Sequence, residues 1–134
     1  MEKIYIDKAA WLHVENRRIL MTRSFNKDKW YNPGGKIETG ETPEQALIRE
    51  IREELSLDLK PETIRPIGVY EAQAHGKPEG TFVRIFGFEA DYVGEMRPTN
   101  EIEKIEYFDT SRIAETAPVD QLIFKDLKDK GLID

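Results

Sequence analysis

Residues 42–55 carry the strongest local instruction in the chain. Thr42 is a capping residue, Pro43 suits the first helical position, and Gln45, three residues after Thr42, completes a capping box. Leu47, Ile48, Ile51 and Leu55 then recur at helical spacing and form one apolar stripe. The pattern predicts a helix that ends near Leu55 and Ser56, before the run to Pro61. Glu50, Glu53 and Glu54 stand at i, i+3 and i+4 of that helix, so they share a face that borders the apolar stripe rather than opposing it. Like charges at this spacing repel by about 0.2–0.5 kcal/mol per pair. Something positive between them accounts for carboxylates gathered beside a core, and hard cations such as Mg²⁺ take one or two carboxylates together with water and substrate phosphate. The plainer reading is a solvated helix face on which Arg49 pairs with Glu53. What precedes the helix decides between them.

Upstream, Trp30-Tyr31-Asn32-Pro33-Gly34-Gly35 is rich in turn formers, and Gly34-Gly35-Lys36 leads through Glu38 and Gly40 to Glu41. Paired glycines let the backbone turn tightly and aim a carbonyl at a ligand with no side chain in the way. Taken together, Gly35, five residues, Glu41, seven residues, then Arg49-Glu50-Ile51-Arg52-Glu53-Glu54-Leu55-Ser56-Leu57 resembles the Nudix box, with every defined position but one in agreement. The wording Gly-Gly-Lys-Ile-Glu-Thr-Gly-Glu-Thr-Pro-Glu-Gln-Ala is especially similar to the MutT branch of that family, which removes oxidised guanine nucleotides from the pool. The departure is Ser56, where the family has a glycine that accepts a left-handed backbone. Serine there costs about 1 kcal/mol, or the turn differs, and the metal ligands are untouched either way.

The resemblance implies an α+β fold, a Nudix-type α/β/α sandwich with a mixed central sheet, a loop-helix-loop and a C-terminal helix. It implies a Mg²⁺ (or Mn²⁺) dependent hydrolase that splits a pyrophosphate bond. Carried over, the Gly35 carbonyl and the Glu50 and Glu54 carboxylates are metal ligands, and Glu53 is a ligand or helps deprotonate the attacking water. Glu41 supports the site or adds a ligand, and Arg49 orients the glutamates through charge-assisted hydrogen bonds. A further carboxylate often comes from outside the box, and Glu101 is the candidate, with Glu103 its rival. Gly34 belongs to the phosphate-binding loop, and Lys36 and Arg23 are candidates for holding phosphate. Asp120 could accept from the amines of a purine edge or serve as a helix-start charge.

The remaining pattern agrees with such a fold. Residues 9–14 and 18–23 read as a hairpin around Glu15-Asn16-Arg17, and residues 24–29 as a polar loop. Residues 64–74 and 81–92 read as longer strands joined by a turn over 75–80, and residues 102–108 as a further strand. A final amphipathic helix follows Pro118, with Val119, Leu122, Ile123 and Leu127 on one face and Gly131 as its stop. Strands joined in hairpins, with helices between, predict a mixed sheet packed between helices in a single domain over residues 1–134. Trp30, Tyr31, Phe25 and Phe82 are either core or stacking partners for a base, while His13 and His75 lack a metal-ligand partner at suitable spacing and read as structural or exposed.

Composition narrows the function further. A net charge of −6 disfavours broad nucleic-acid binding, and RNA-cap or RNA 5′-end chemistry with it. It leaves a nucleotide as a small-molecule partner, because a divalent cation and a few bases reverse the sign of one cleft. Cysteine is absent, which removes disulfides and zinc-thiolate sites, disfavours an isopentenyl diphosphate isomerase-like enzyme, and suits a cytoplasmic protein. No leader-like run and no stretch of about 18 apolar residues occurs, so no membrane association is expected. The sequence itself gives no account of oligomeric state, and a homodimer is the option the resemblance offers, since many relatives pair through exposed strands. The competing class is a Nudix-fold module that senses a nucleotide without cleaving it, but such modules usually lose box acids that this chain keeps. Among hydrolases, nucleoside diphosphate sugars and dinucleoside polyphosphates are the alternatives to an oxidised purine triphosphate such as 8-oxo-dGTP.

Overall fold

A strand whose C-terminal end is buried on both faces organises the molecule. In the computed structural model, which describes residues 2–74 and 76–134, strand β1 (Ile4–Trp11) lies between β4 (Gly34–Lys36) and β7 (Thr81–Glu89). It is antiparallel to β4 and parallel to β7, and β6 (Arg65–Gln73) adds antiparallel to β7, so the sheet is mixed, in the order β4-β1-β7-β6. A second sheet, β2-β3-β9, is built from Val14–Glu15, Arg18–Ser24 and Ile102–Phe108, and a short ladder joins β5 (Asp58–Leu59) to β8 (Tyr92–Val93). Helices α1 (Pro43–Leu55) and α2 (Pro118–Asp129) complete the fold.

Side chains alternate across a strand, and β1 uses that alternation to feed two cores. Ala9 and Trp11 pack with Ala46, Leu47, Ile51 and Leu55 of α1, whereas Ala10 packs with Val119, Ile123, Phe124 and Leu127 of α2. The helices therefore cover opposite faces of the sheet, and the expected α/β/α sandwich is present.

Several local expectations change. Residues 9–14 and 18–23 do not pair as a hairpin; only Val14–Glu15 folds back on β3, through a two-residue turn in which Asn16 (φ 53°) and Arg17 (φ 62°) are both left-handed. Residues 9–11 of the first segment belong to β1, whose partners β4 and β7 lie far along the chain. The strand expected over 81–92 stops at Glu89, and Tyr92–Val93 leaves to pair with β5. On α2, Leu122 is 38% exposed and Phe124 takes its place in the core. The stop at Gly131 holds, with φ 74° just beyond the helix. His75 lies outside the described residues. Among the described residues no helix is long and apolar enough to cross a membrane.

Candidate metal and nucleotide site

Helix α1 begins as its sequence dictates. Thr42 Oγ1 accepts from the Gln45 N–H at 3.1 Å, and Gln45 Oε1 accepts from the Thr42 N–H at 2.9 Å. This fixes the helix start, and the helical period then brings Glu54 into the buried face alongside Leu47, Ile51 and Leu55. Glu54 is 5% exposed and its Oε1 accepts from the Gly34 N–H at 2.9 Å. Burial pushes its carboxyl up to about 8 against that hydrogen bond, and the charges of Glu50 and Glu101 push the same way while Lys8 opposes them. Burial raises Glu50 as well, with Arg49 holding it down and Glu53 and Glu101 adding to the rise.

Arg49 ties the loop to the helix. Its Nε and Nη2 donate to the two oxygens of Glu41 at 2.8 and 2.9 Å, a bidentate pair, and its Nη1 donates to Glu50 Oε1 at 2.9 Å. Nη2 also reaches the Lys36 carbonyl at 3.1 Å, and Glu53 stands 3.6 Å from Nη1. The Arg49 hydrogen bonds, helped by the Glu38 N–H, hold Glu41 down to about 2. Glu41 is therefore engaged in positioning Arg49, whereas Glu53 is exposed at the helix edge.

The two glycines serve different ends. Gly34 has φ 146°, and a Cβ on it would lie 2.0 Å from the Ala9 carbonyl oxygen, so only glycine lets β4 lie against β1. On Gly35 a Cβ would meet the Glu50 carboxylate at 2.4 Å, and its absence lets that carboxylate lie against the backbone. At the far end of α1, Ser56 adopts the left-handed conformation the family glycine would have (φ 58°, ψ 30°), and its N–H donates to the Arg52 carbonyl at 3.1 Å. The turn is kept, and serine bears the strain, about 1 kcal/mol.

Outside the box, Glu101 lines the same cavity as Glu50 and Glu54, whereas Glu103 is turned to Arg23, 3.1 Å away. Among the described residues no three His, Cys, Asp or Glu side chains form a ready-made metal cage. Mg²⁺ does not need one, since it keeps several waters and takes only one or two carboxylates beside substrate phosphate. Glu50, Glu54 and Glu101 act on one another through their charges, and Glu54 is kept high by burial. That donor set fits a hard divalent cation, with the Gly35 backbone alongside.

The cavity they border measures about 490 Å³ and is also lined by Lys8, Tyr31, Asn32 and Asp120. Asp120 is 1% exposed, and its Oδ1 accepts from the Asn32 N–H at 2.8 Å. Burial pushes its carboxyl up to about 7, with the Asn32 hydrogen bond and Lys8 opposing. Asp120 Oδ2 and both polar atoms of the Asn32 side chain are buried without a hydrogen-bond partner among the described residues. Buried polar groups are nearly always paired, so these atoms take their partner from the cavity, as water or as ligand.

Lys36 and Gly34 line the cavity. Arg23 is not among the residues that line the cavity: it pairs with Glu103 and lies 5.4 Å over the Trp30 ring. Trp30 is core, Phe25 is 55% exposed and Phe82 packs on Tyr5, which leaves Tyr31 as the aromatic at the cavity. His13 is structural, stacked on Trp11 with centroids 4.3 Å apart and bonded to Glu15 at 2.8 Å. Lys8 and Asn32 were not legible as site residues, and Tyr31 was legible only as one of four aromatics offered as core or base-stacking. The signal available for Lys8 was a lysine set directly against the apolar run Ala9-Ala10-Trp11-Leu12.

The comparisons agree with this architecture. The NUDIX domain model matches residues 7–127. A Danio rerio protein named oxidized purine nucleoside triphosphate hydrolase is 36% identical over 105 residues, which cover 76% of this chain and 65% of that protein. A Methanocaldococcus jannaschii protein named ADP-ribose pyrophosphatase is 33% identical over 118 residues, 86% of this chain and 68% of the relative. The match thus spans less than two thirds of the first relative's length. The crystal structure of the MutT NUDIX hydrolase from Burkholderia pseudomallei superposes with a TM-score of 0.74 at 20% identity, covering 92% of this chain and 98% of that one. The chain belongs to the Nudix family. Within that family it is MutT-like, in fold as in the wording of its box.

Proposed function

We propose that this protein is a Mg²⁺-dependent Nudix pyrophosphohydrolase that cuts a purine nucleoside triphosphate, with an oxidised purine such as 8-oxo-dGTP as its substrate, to the monophosphate and pyrophosphate. The observation that carries the reading is one cavity with two chemistries. Glu50, Glu54 and Glu101 line it, and so do Asp120 and Asn32 with their unpartnered buried atoms. The first set suits a cation against a diphosphate, and the second suits the polar edge of a base.

A bound divalent ion would supply charge neutralisation and an acidified water. The chain's own residues supply the positioning. Arg49 fixes Glu41 and Glu50 in one network, the Gly34 N–H sets Glu54, and the bare Gly35 leaves Glu50 its place. Asp120 Oδ2 accepts from a base N–H, and the Asn32 amide offers a donor and an acceptor beside it. Water adds to phosphorus, the bridging P–O bond breaks, and the proton lost by the water leaves through the carboxylate cluster. Such chemistry on the nucleotide pool suits a cysteine-free cytoplasmic chain.

A second reading, cleavage of a sugar-linked diphosphate, draws support from the relative named ADP-ribose pyrophosphatase. Product analysis over 8-oxo-dGTP, unmodified purine triphosphates, dinucleoside polyphosphates and ADP-ribose separates the two. Monophosphate plus pyrophosphate from a purine triphosphate is expected. Orthophosphate alone, cleavage confined to the sugar-linked diphosphate, or nucleotide binding without turnover overturns the proposal.

A further inference from the structure

The register of β1 against β4 places Lys8 directly opposite Lys36. Residues paired in this way project to the same side of a sheet, and both lysines line the cavity. Like charges directly opposite one another destabilise a strand pair, so two lysines at one register position need an explanation. Solvent supplies it for Lys36, which is exposed. It does not for Lys8, which is only partly exposed, on the β1 face that also carries Ala10.

Among the described residues the Lys8 ammonium makes no hydrogen bond and no ion pair within 4 Å; its near contact is the Tyr31 ring, 5.9 Å to the centroid. Burial holds the ammonium below its usual range and Lys36 adds to that, while Asp120, Glu54 and Glu50 favour the charged form. Lys8 is thus within electrostatic reach of both the candidate base-reading acid and the candidate metal-holding acids. A nucleotide that runs from Asp120 to Glu50 and Glu54 passes over it, and the part of such a molecule that joins base and sugar to the scissile bridge is the phosphate that stays with the nucleoside.

We propose that Lys8 and Lys36 form a two-lysine clamp on that nucleoside-side phosphate, with Lys8 as a positioning residue that acts on every nucleotide alike whatever its base. The inference rests on the nucleotide-hydrolase reading. An anion between the two ammoniums removes their repulsion and gives Lys8 the partner it lacks. The same contact helps the reaction whichever phosphorus of the bridge water attacks, because the nucleoside-side phosphate is then either the leaving group or the centre that gathers charge.

The test compares wild type, Lys8→Met and Lys8→Arg by calorimetry on metal-free protein with deoxyguanosine and its 5′-monophosphate. Wild type binds the monophosphate tighter than the nucleoside. Lys8→Met, which keeps the length and removes the charge, weakens the monophosphate by about 10–100-fold and leaves the nucleoside unchanged, and Lys8→Arg restores most of the difference. In Mg²⁺ the Met variant loses kcat/KM by one common factor for purine and pyrimidine triphosphates. An equal loss for nucleoside and monophosphate puts Lys8 at the base and overturns the clamp, as does a base-dependent loss, an unchanged variant, or a wild type indifferent to the phosphate. Should wild type hydrolyse no nucleotide, the hydrolase reading fails, and the comparison of monophosphate with nucleoside still judges Lys8.

Discussion

Gly35→Ala separates the site from the fold. Gly35 is not one of the left-handed glycines, so alanine meets no backbone penalty there. Its Cβ would lie 2.4 Å from Glu50 Cδ and 2.5 Å from Oε2, the mobile end of a side chain. Restoring an ordinary contact of about 3.5 Å moves that carboxylate by roughly 1 Å. A displacement of that size at a catalytic group lowers rate by about 100-fold, while stability changes by about 1 kcal/mol or less. Gly34→Ala is the opposite case. There the clash is backbone on backbone at 2.0 Å, with φ at 146°, and strain plus overpacking add to about 2–6 kcal/mol. Urea unfolding and kcat/KM on the preferred nucleotide measure both effects. A Gly35→Ala protein within about 3-fold of wild-type kcat/KM, or a Gly34→Ala protein as stable as wild type, refutes the roles given to these residues.

Two more perturbations follow from the buried acids. Glu54→Gln keeps the acceptor for the Gly34 N–H but loses the charge, so turnover falls about 100-fold or more with the fold intact; near-normal turnover at saturating Mg²⁺ contradicts this, and unfolding curves monitor the fold. Asp120→Asn likewise keeps the bond from Asn32. The Asp120 carboxyl rises to about 7 on folding, above its ordinary 3.8, so between those values the folded chain holds a proton that the unfolded chain has released. Wild-type stability therefore falls as pH rises through that window, by up to about 1.4 kcal/mol per unit, and levels off above it. Asp120→Asn gains on wild type from pH 5 to 8, and parallel stability-pH curves argue against a buried, titrating Asp120.

What was legible in the chain follows range. The start of α1, its apolar stripe and the spacing from Gly35 to Glu54 are local, so the helix and the order of its acids could be read directly. The strained exit at Ser56 could also be posed, because only the φ of that residue was in question. The partners of β1 could not. Its register with β4 and β7 joins residues far apart in the chain, and a period of 2 says which side chains share a face but not which strand lies beside them. Lys8 and Asn32 became site residues only through that pairing and through α2 closing over the sheet to bring in Asp120. The partner of Arg23 was hidden for the same reason: Glu103 lies on β9, the strand beside β3.

Whether α1 gathers carboxylates to hold a divalent ion against a nucleotide's diphosphate is decided by anomalous diffraction from crystals grown with Mn²⁺ and a non-hydrolysable purine triphosphate. One or more anomalous peaks bounded by Glu50, Glu54 and the Gly35 backbone are expected, with phosphate oxygens completing the coordination and the base against Asp120. Peaks elsewhere, with Glu54 still bound only to the Gly34 N–H and Glu50 only to Arg49, contradict that arrangement.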